Sequence, residues 1–179
     1  MNRGIGEEKK ELLETPEKTL TRAKNTAYRL LTYRPRSRRE LEEKLREKEF
    51  PEDIVGSIID QCARLGYIDD AQFAEQWARS RLKLRCFGRR RIEQELRGKG
   101  IDREIISEAI AKVVPAEDEH AAAKSAAEKK LRMMRSVEPQ ARRRRLAGFL
   151  ERKGFSSEVI RSILHTVRWD HVVRENDMP

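Results

Sequence analysis

Apolar positions recur along this chain in one pattern that appears three times. Five large apolar residues within 88–110 meet equivalent residues when the segment is shifted 51 positions towards the N-terminus or 54 towards the C-terminus, with no gap. The three sets are Ile92, Leu96, Ile101, Ile105 and Ile110; Leu41, Leu45, Phe50, Ile54 and Ile59; and Leu146, Leu150, Phe155, Val159 and Leu164. A period of about 50 residues indicates stacked copies of one small unit, each burying part of its apolar face against the next.

Each copy divides into three helices at residues that favour helix ends. Arg34-Pro35 stops the first helix of repeat 1, Gly88 opens the second helix of repeat 2, and Pro139 breaks the first helix of repeat 3. The predicted helices include a first helix of repeat 1 over about 22–33, and helices of repeat 3 over about 119–135, 141–152 and 156–168. Because strand-like alternation appears nowhere, the pattern predicts an all-α protein of about nine helices.

The predicted organisation is a row of tandem three-helix repeats, elongated and curved, with loose ends. We expect a flexible N-terminal arm over 1–21, repeats over 22–68, 69–115 and 116–169, and a loose tail over 170–179. Such a row presents an extended surface rather than a pocket, which favours binding a long partner.

The turn between the second and third helices differs in repeat 1. Gly100 and Gly154 occupy this position in repeats 2 and 3, whereas repeat 1 has Glu49. If the turn needs a left-handed residue, Glu49 costs on the order of 1 kcal/mol. Otherwise the chain turns differently in repeat 1.

Composition adds a strongly basic balance. The 179 residues carry a formal net charge of +9, and 40% of them are charged. Such a balance favours a polyanion or an acidic protein face as partner, and the excess of cations is largest in repeat 3. No apolar run could span a membrane. The two cysteines, Cys62 and Cys86, fit structural thiols in a reducing cytosol, so we expect a cytoplasmic protein, and the dispersed charge favours a monomer.

Three arginine clusters form the candidate binding face, each at the predicted start of a second helix. They are Arg36, Arg38 and Arg39; Arg89, Arg90 and Arg91; and Arg142, Arg143, Arg144 and Arg145. Exposed cations at a helix N-terminus oppose the helix dipole at a cost of up to about 1 kcal/mol. A bound anion would explain them, because free backbone N–H groups and guanidinium groups could converge on one phosphate or carboxylate. A solvated basic face is the plainer alternative.

Sequence motifs for catalysis are missing. The chain has no phosphate-binding Gly-rich loop, nucleophile elbow or zinc-protease motif, and its histidines form no metal-ligand set with a cysteine. We therefore expect no catalytic residue, metal or cofactor. Phe73 and Trp77, four positions apart, fit core packing better than stacking on bases.

One long stretch resembles a known family. The residues that carry the resemblance are Gly66-Tyr67-Ile68-Asp69-Asp70, Phe73-Ala74, Arg79-Ser80-Arg81, Gly88, Arg91-Ile92, Glu95-Leu96 and Lys99-Gly100-Ile101, preceded by Leu30-Leu31, Arg34-Pro35-Arg36-Ser37, Glu40-Leu41 and Leu45. This ordered set is similar to the signature of the RecX family of recombination regulators. It covers residues 24–113 well, and repeat 3 follows by pattern rather than by motif.

The resemblance implies a non-enzymatic regulator that binds the filament of the RecA recombinase on single-stranded DNA. Such a regulator inhibits filament growth or promotes disassembly, and thereby modulates recombination, ATPase and coprotease activity. The resemblance carries over no cofactor and no catalytic residue. Contact with single-stranded DNA itself is expected to be weaker and sensitive to salt.

A general nucleic-acid-binding helical protein acting through its basic face is the alternative. Gln and Asn are scarce in the second and third helices, so few side chains could read base edges. Dependence on a protein partner separates the two readings.

Overall fold

Helices make up all the regular structure in the part of the chain that the structure, a computed structural model, describes: residues 15–167 and 169. They are α1 Pro16–Tyr33, α2 Arg38–Arg46, α3 Glu52–Arg64, α4 Asp70–Arg85, α5 Arg89–Gly98, α6 Arg103–Val113, α7 Ala116–Arg132, α8 Pro139–Arg152 and α9 Ser157–Thr166. The predicted all-α class, with nine helices in three groups of three, is confirmed over these residues.

The chain divides into two compact units. Over the described residues, the first comprises 15–36 and 40–68, and the second comprises 37–39, 69–167 and 169. In the first unit α1 packs against α3. In the second unit α4 packs against α5, α6 and α7, while α7 packs against α8 and α9. Each unit has its own apolar core.

The recurring apolar positions form these cores. The first three positions are nearly inaccessible in all three repeats: Leu41, Leu45 and Phe50, then Ile92, Leu96 and Ile101, then Leu146, Leu150 and Phe155 are at most 6% exposed. The fourth position is half-buried in every repeat, since it lies at the start of the third helix. The positions that recur in the sequence are therefore the positions that pack in the cores.

The turn between the second and third helices has the same form in every repeat. The amide of Phe50 donates to the carbonyl of Leu45, and the equivalent amides in the other two repeats make the same bond. This pattern requires a residue with positive φ just past the helix. Glu49 adopts φ 60°, beside 73° for Gly100 and 86° for Gly154. Repeat 1 thus keeps the turn, and Glu49 bears the left-handed strain.

A close backbone approach explains why repeat 3 has glycine in this turn. A Cβ atom on Gly154 would lie 2.3 Å from the backbone nitrogen of Arg91, at the start of α5. Gly88 is equally confined, since its Cβ would lie 2.5 Å from the carbonyl oxygen of Gly154. Glu49 is exposed, so its side chain has room.

Four predicted helices have wrong bounds. The helix α1 begins at Pro16 rather than near 22, because Thr15 accepts a bond from the amide of Lys18 and proline suits the first turn. Residues 16–21 therefore belong to a helix and not to a flexible arm. The helix α7 covers Ala116–Arg132 rather than 119–135, because it starts directly after Pro115. Residues 1–14 of the predicted arm and the tail over 170–179 lie outside the described residues.

The helix α8 begins at Pro139 rather than at 141, and α9 ends at Thr166 rather than at 168. Pro139 fills the first helical position, where its missing N–H is not needed, instead of merely ending the helix before it. This shift moves the arginines of repeat 3 away from the helix end.

We predict that Gly154→Ala costs about 2–4 kcal/mol of unfolding free energy, because it combines left-handed strain with a clash against the backbone of α5. Gly66→Ala is the matched control. Its φ is 71°, but no atom lies within 4 Å of the new Cβ, so it should cost only about 1 kcal/mol. Urea denaturation followed by circular dichroism measures both. Equal losses would contradict the close approach.

Candidate basic interface

The N-terminus of α5 is closed by other parts of the second unit. The amide of Gly88 donates to the carbonyl of Lys153 at 2.9 Å, and the amide of Arg90 donates to the carbonyl of Gly154 at 3.2 Å. The amide of Arg89 donates to a carboxylate oxygen of Glu119 at 2.9 Å. The N–H groups expected to meet an external anion are therefore already bonded, and the anion among their partners is Glu119 of the protein itself.

The Arg89 side chain completes this arrangement. Its Nε atom lies 3.1 Å from the second carboxylate oxygen of Glu119, and the Glu119 side chain is only 7% exposed. An Nη atom of Arg89 also donates to the carbonyl of Val114. A buried carboxylate needs such partners, because desolvation otherwise disfavours its charge. Arg89 is thus part of the packing between α5 and α7.

A carboxylate also meets the start of α2. The amide of Arg38 donates to the carboxylate of Asp70 at 2.8 Å, and the hydroxyl of Ser37 donates to the carbonyl of Lys99 at 2.7 Å. Burial raises the pKa of Asp70, and the bond from the Arg38 amide acts in the opposite direction. The side chains of Arg38 and Arg39 are exposed and hold partners within the protein.

Arg36 points into the first unit rather than to solvent. It is 9% exposed, and its Nε atom donates to the carbonyl of Leu30 at 3.2 Å. Burial, followed by the nearby charge of Arg34, lowers the pKa of Arg36. Through this hydrogen bond, Arg36 connects the end of α1 to the loop that follows it.

Arg142 is likewise buried. It is 9% exposed, and an Nη atom donates to the carbonyl of Trp169 at 3.3 Å. Because α8 starts at Pro139, Arg142 lies in its second turn. The N-terminus of α8 is capped instead by Glu138, whose carboxylate accepts bonds from the amides of Gln140 and Ala141. These bonds, and then the charge of Arg144, lower the pKa of Glu138. The expectation of cations at an open helix end is wrong for repeat 3.

The remaining predicted arginines face solvent. Arg90, Arg91, Arg143, Arg144 and Arg145 are all exposed. Arg91 lies 3.5 Å from a carboxylate oxygen of Glu95. The structure gives the side chains of Arg90, Arg143 and Arg145 no hydrogen bond or ion pair with another described residue. These exposed arginines are the part of the predicted face that a partner could reach.

Trp77 is enclosed by its neighbours. The Arg81 guanidinium lies 3.7 Å and the Lys99 ammonium 4.0 Å from its ring centre, and its N–H donates to Glu95 at 3.0 Å. Phe73 stacks beside it, with ring centres 5.7 Å apart. The expected packing role of this aromatic pair is confirmed.

The acids Glu119, Asp70 and Glu138 are the residues that the sequence interpretation missed. Glu119 and Asp70 lie in the first turn of a following helix, where an acid has an ordinary explanation through the helix dipole. The available signal was that Asp70 and Glu119 each lie in the first helix of the repeat that follows an arginine cluster, two helices after the arginine-rich one.

Two other properties concern the described residues as a whole. None of their helices is both long and apolar enough to cross a lipid bilayer. They contain no group of three or more His, Cys, Asp or Glu residues that could hold a metal ion. Cys62 and Cys86 are unbonded and buried, and burial raises the pKa of the Cys62 thiol.

Comparisons with known proteins match each repeat separately. Residues 23–62, 69–110 and 117–164 match the family models of the first, second and third three-helix domains of RecX. The regulatory protein RecX of Thermobifida fusca (strain YX) is 37% identical over 142 residues, which cover 79% of this chain and 76% of that protein. The regulatory protein RecX of Mycolicibacterium smegmatis is 38% identical over 152 residues, covering 83% and 81%.

Solved structures give the same result. A crystal structure of RecX from Lactobacillus salivarius matches with a TM-score of 0.74 and 27% identity, covering 83% of this chain and 96% of that one. A crystal structure of regulatory protein RecX matches with a TM-score of 0.77 and 28% identity, covering 91% and 81%.

Fold and sequence together define a protein of tandem three-helix domains. The chain belongs to the RecX family of regulatory proteins, because all three domains of that family follow one another in it.

We predict that Glu119→Gln destabilises the protein by about 2 kcal/mol, because the charge that strengthens the bond from the Arg89 amide and pairs with the Arg89 guanidinium is lost. Glu117→Gln, on the exposed side of the same helix turn, should change stability by less than about 0.5 kcal/mol. Urea denaturation compares the two variants. A loss at Glu119 no larger than at Glu117 would contradict the closing role of Glu119.

Proposed function

We propose that this protein is a non-enzymatic regulator that binds the RecA filament on single-stranded DNA in the cytoplasm and inhibits its growth or promotes its disassembly. The observation that carries the proposal is the succession of all three RecX domains in one chain. The related proteins are named regulatory proteins. In this account the chain acts by contact and needs no cofactor.

Surface charge supports a partner with negative charge. The net charge is +9, and Arg143, Arg144 and Arg145 face solvent side by side on α8. Guanidinium groups lose little hydration free energy on meeting a carboxylate or phosphate, because they are weakly hydrated. Three domains in tandem could contact neighbouring subunits of a filament, so modest contacts would add through effective concentration.

The experiment that tests this function is a titration of the protein into ATP hydrolysis by RecA on single-stranded DNA at physiological salt. A regulator of the filament should inhibit hydrolysis at well under one molecule per RecA subunit. If inhibition begins only when the protein is abundant enough to coat the DNA, the general nucleic-acid binder is the better description.

We predict that replacing Arg143, Arg144 and Arg145 together with Ala raises the half-inhibitory concentration roughly tenfold, since each exposed ion pair contributes up to about 1 kcal/mol. Arg142 is left intact, because its burial makes it part of the fold. Circular dichroism should report unchanged helix content.

The matched control replaces Arg29, Lys48 and Arg64 with Ala, which removes the same charge from exposed positions of the first unit. We expect it to inhibit nearly as well as the parent protein. An equal loss of inhibition in both variants would mean that net charge, and not the arginines of α8, determines binding.

A further inference from the structure

A groove with cationic walls lies between α5 and α6. Its volume is about 630 Å³. The walls include Arg89, Arg97 and Arg103, and its inner lining includes Ile106 and Ile110. All of its lining residues belong to the second repeat, so the groove is complete within one three-helix domain.

In repeat 1 the two equivalent positions form an ion pair. Arg46 corresponds to Arg97, and Glu52 corresponds to Arg103, by the shift of 51 positions. The Arg46 guanidinium donates to both carboxylate oxygens of Glu52, at 2.8 and 3.0 Å. This two-pronged bond lowers the pKa of Glu52. A carboxylate is thus what complements an arginine at the end of the second helix in this fold.

Repeat 2 has a second arginine where that carboxylate would be. Arg103 is exposed, and the structure gives its side chain no hydrogen bond or ion pair with another described residue. Arg97 keeps only the bond to Glu93 at 3.2 Å, one turn earlier on α5. Two guanidinium groups therefore border the groove, together with the Glu93 carboxylate that pairs with Arg97. No acid occupies the position that Glu52 holds in repeat 1.

The lining favours an acidic protein segment over a nucleic acid. No aromatic residue lines the groove, so it offers no surface on which a base could stack. Ile106, Ile110 and Ala111 instead provide an apolar surface, and Ser107 provides a hydroxyl beside it. Such a combination suits a side-chain carboxylate flanked by apolar atoms.

We propose that the α5–α6 groove of repeat 2 binds an acidic segment of a partner protein, with a Glu or Asp carboxylate held between Arg97 and Arg103 as Glu52 is held by Arg46. The binding of this segment deepens the proposed function, because it assigns one contact of the regulator to a protein carboxylate rather than to DNA.

Arg103→Glu is the decisive variant, since it supplies the groove with the carboxylate found in repeat 1. The probe is a short fluorescein-labelled peptide rich in Glu, with a Gln-for-Glu peptide and a labelled oligothymidine as comparisons. Fluorescence anisotropy on the full chain should show that Arg103→Glu weakens binding of the Glu peptide at least about tenfold. Arg103→Gln should cause a smaller loss, and neither variant should lower the melting temperature.

Arg79→Glu is the matched control, because it makes the same charge change at an exposed position of α4 outside the groove. It should weaken binding of the Glu peptide by less than about threefold. Equal losses for Arg79→Glu and Arg103→Glu would overturn the proposal, and so would a Gln peptide that binds as well as the Glu peptide. Loss of oligothymidine binding alone in Arg103→Glu would also overturn it, by making the groove a nucleic-acid site.

The peptide assay contains no RecA, so its result does not depend on whether the proposed function is correct. Arg103→Glu could fail to bind the Glu peptide and still inhibit RecA ATP hydrolysis as the parent does. The groove would then bind an acidic segment but have no role in filament regulation. If the Glu peptide binding is unchanged while inhibition is lost, the proposed occupant of the groove is wrong.

Discussion

Closure of the α5 N-terminus is the interaction on which the second unit depends. A buried carboxylate from α7 and two carbonyl groups from the turn after α8 accept the N–H groups that begin α5. Three consecutive arginines would ordinarily be unfavourable there, because the helix dipole repels them. The negative charge of Glu119 offsets that repulsion and fixes the Arg89 guanidinium at the same time. One acid therefore positions two helices and makes an arginine-rich helix start compatible with folding.

The same closure sets where glycine is required. Gly88 and Gly154 allow two backbone segments to approach so closely that neither position has space for a Cβ atom. Glu49 occupies the same turn in repeat 1 and is exposed, so only backbone strain opposes its side chain. Repeat 1 can have a residue other than glycine here because no neighbouring segment packs against its Cβ atom, and the turn itself is unchanged. Repeated sequences keep a residue where an adjoining segment imposes it and vary where none does.

Much of the fold could be predicted from the sequence, because buried positions recur at constant spacing. Leu41, Ile92 and Leu146 were placed in equivalent core positions by that spacing alone. The helix start at Pro139 is mispredicted because proline can both end one helix and begin the next. At Pro16 the first-turn preference of proline after the capping residue Thr15 was overlooked. The candidate site was less accessible to sequence reasoning. Whether an arginine faces solvent depends on a partner such as Glu119 or the carbonyl of Trp169, each distant in sequence and outside the recurring apolar pattern.

The buried and the exposed arginines of this RecX-family protein have different roles. Arg36 and Arg142 each form a bond within one domain and Arg89 links α5 to α7, whereas Arg143–Arg145 and Arg103 face solvent. Repeated clusters that look alike in sequence therefore contribute differently. The charges that remain exposed are the ones that a partner with negative charge can meet.

Residue-resolved amide hydrogen exchange by NMR on the free protein tests the central claim most directly. The account predicts slow exchange for the amides of Gly88, Arg89 and Arg90, because acceptors elsewhere in the second unit hold them. The first-turn amides of α6 provide the internal comparison and should exchange quickly, since the cap residue Asp102 offers them no side-chain bond. Equally fast exchange at both helix starts would contradict the account and leave the N-terminus of α5 open to an external anion.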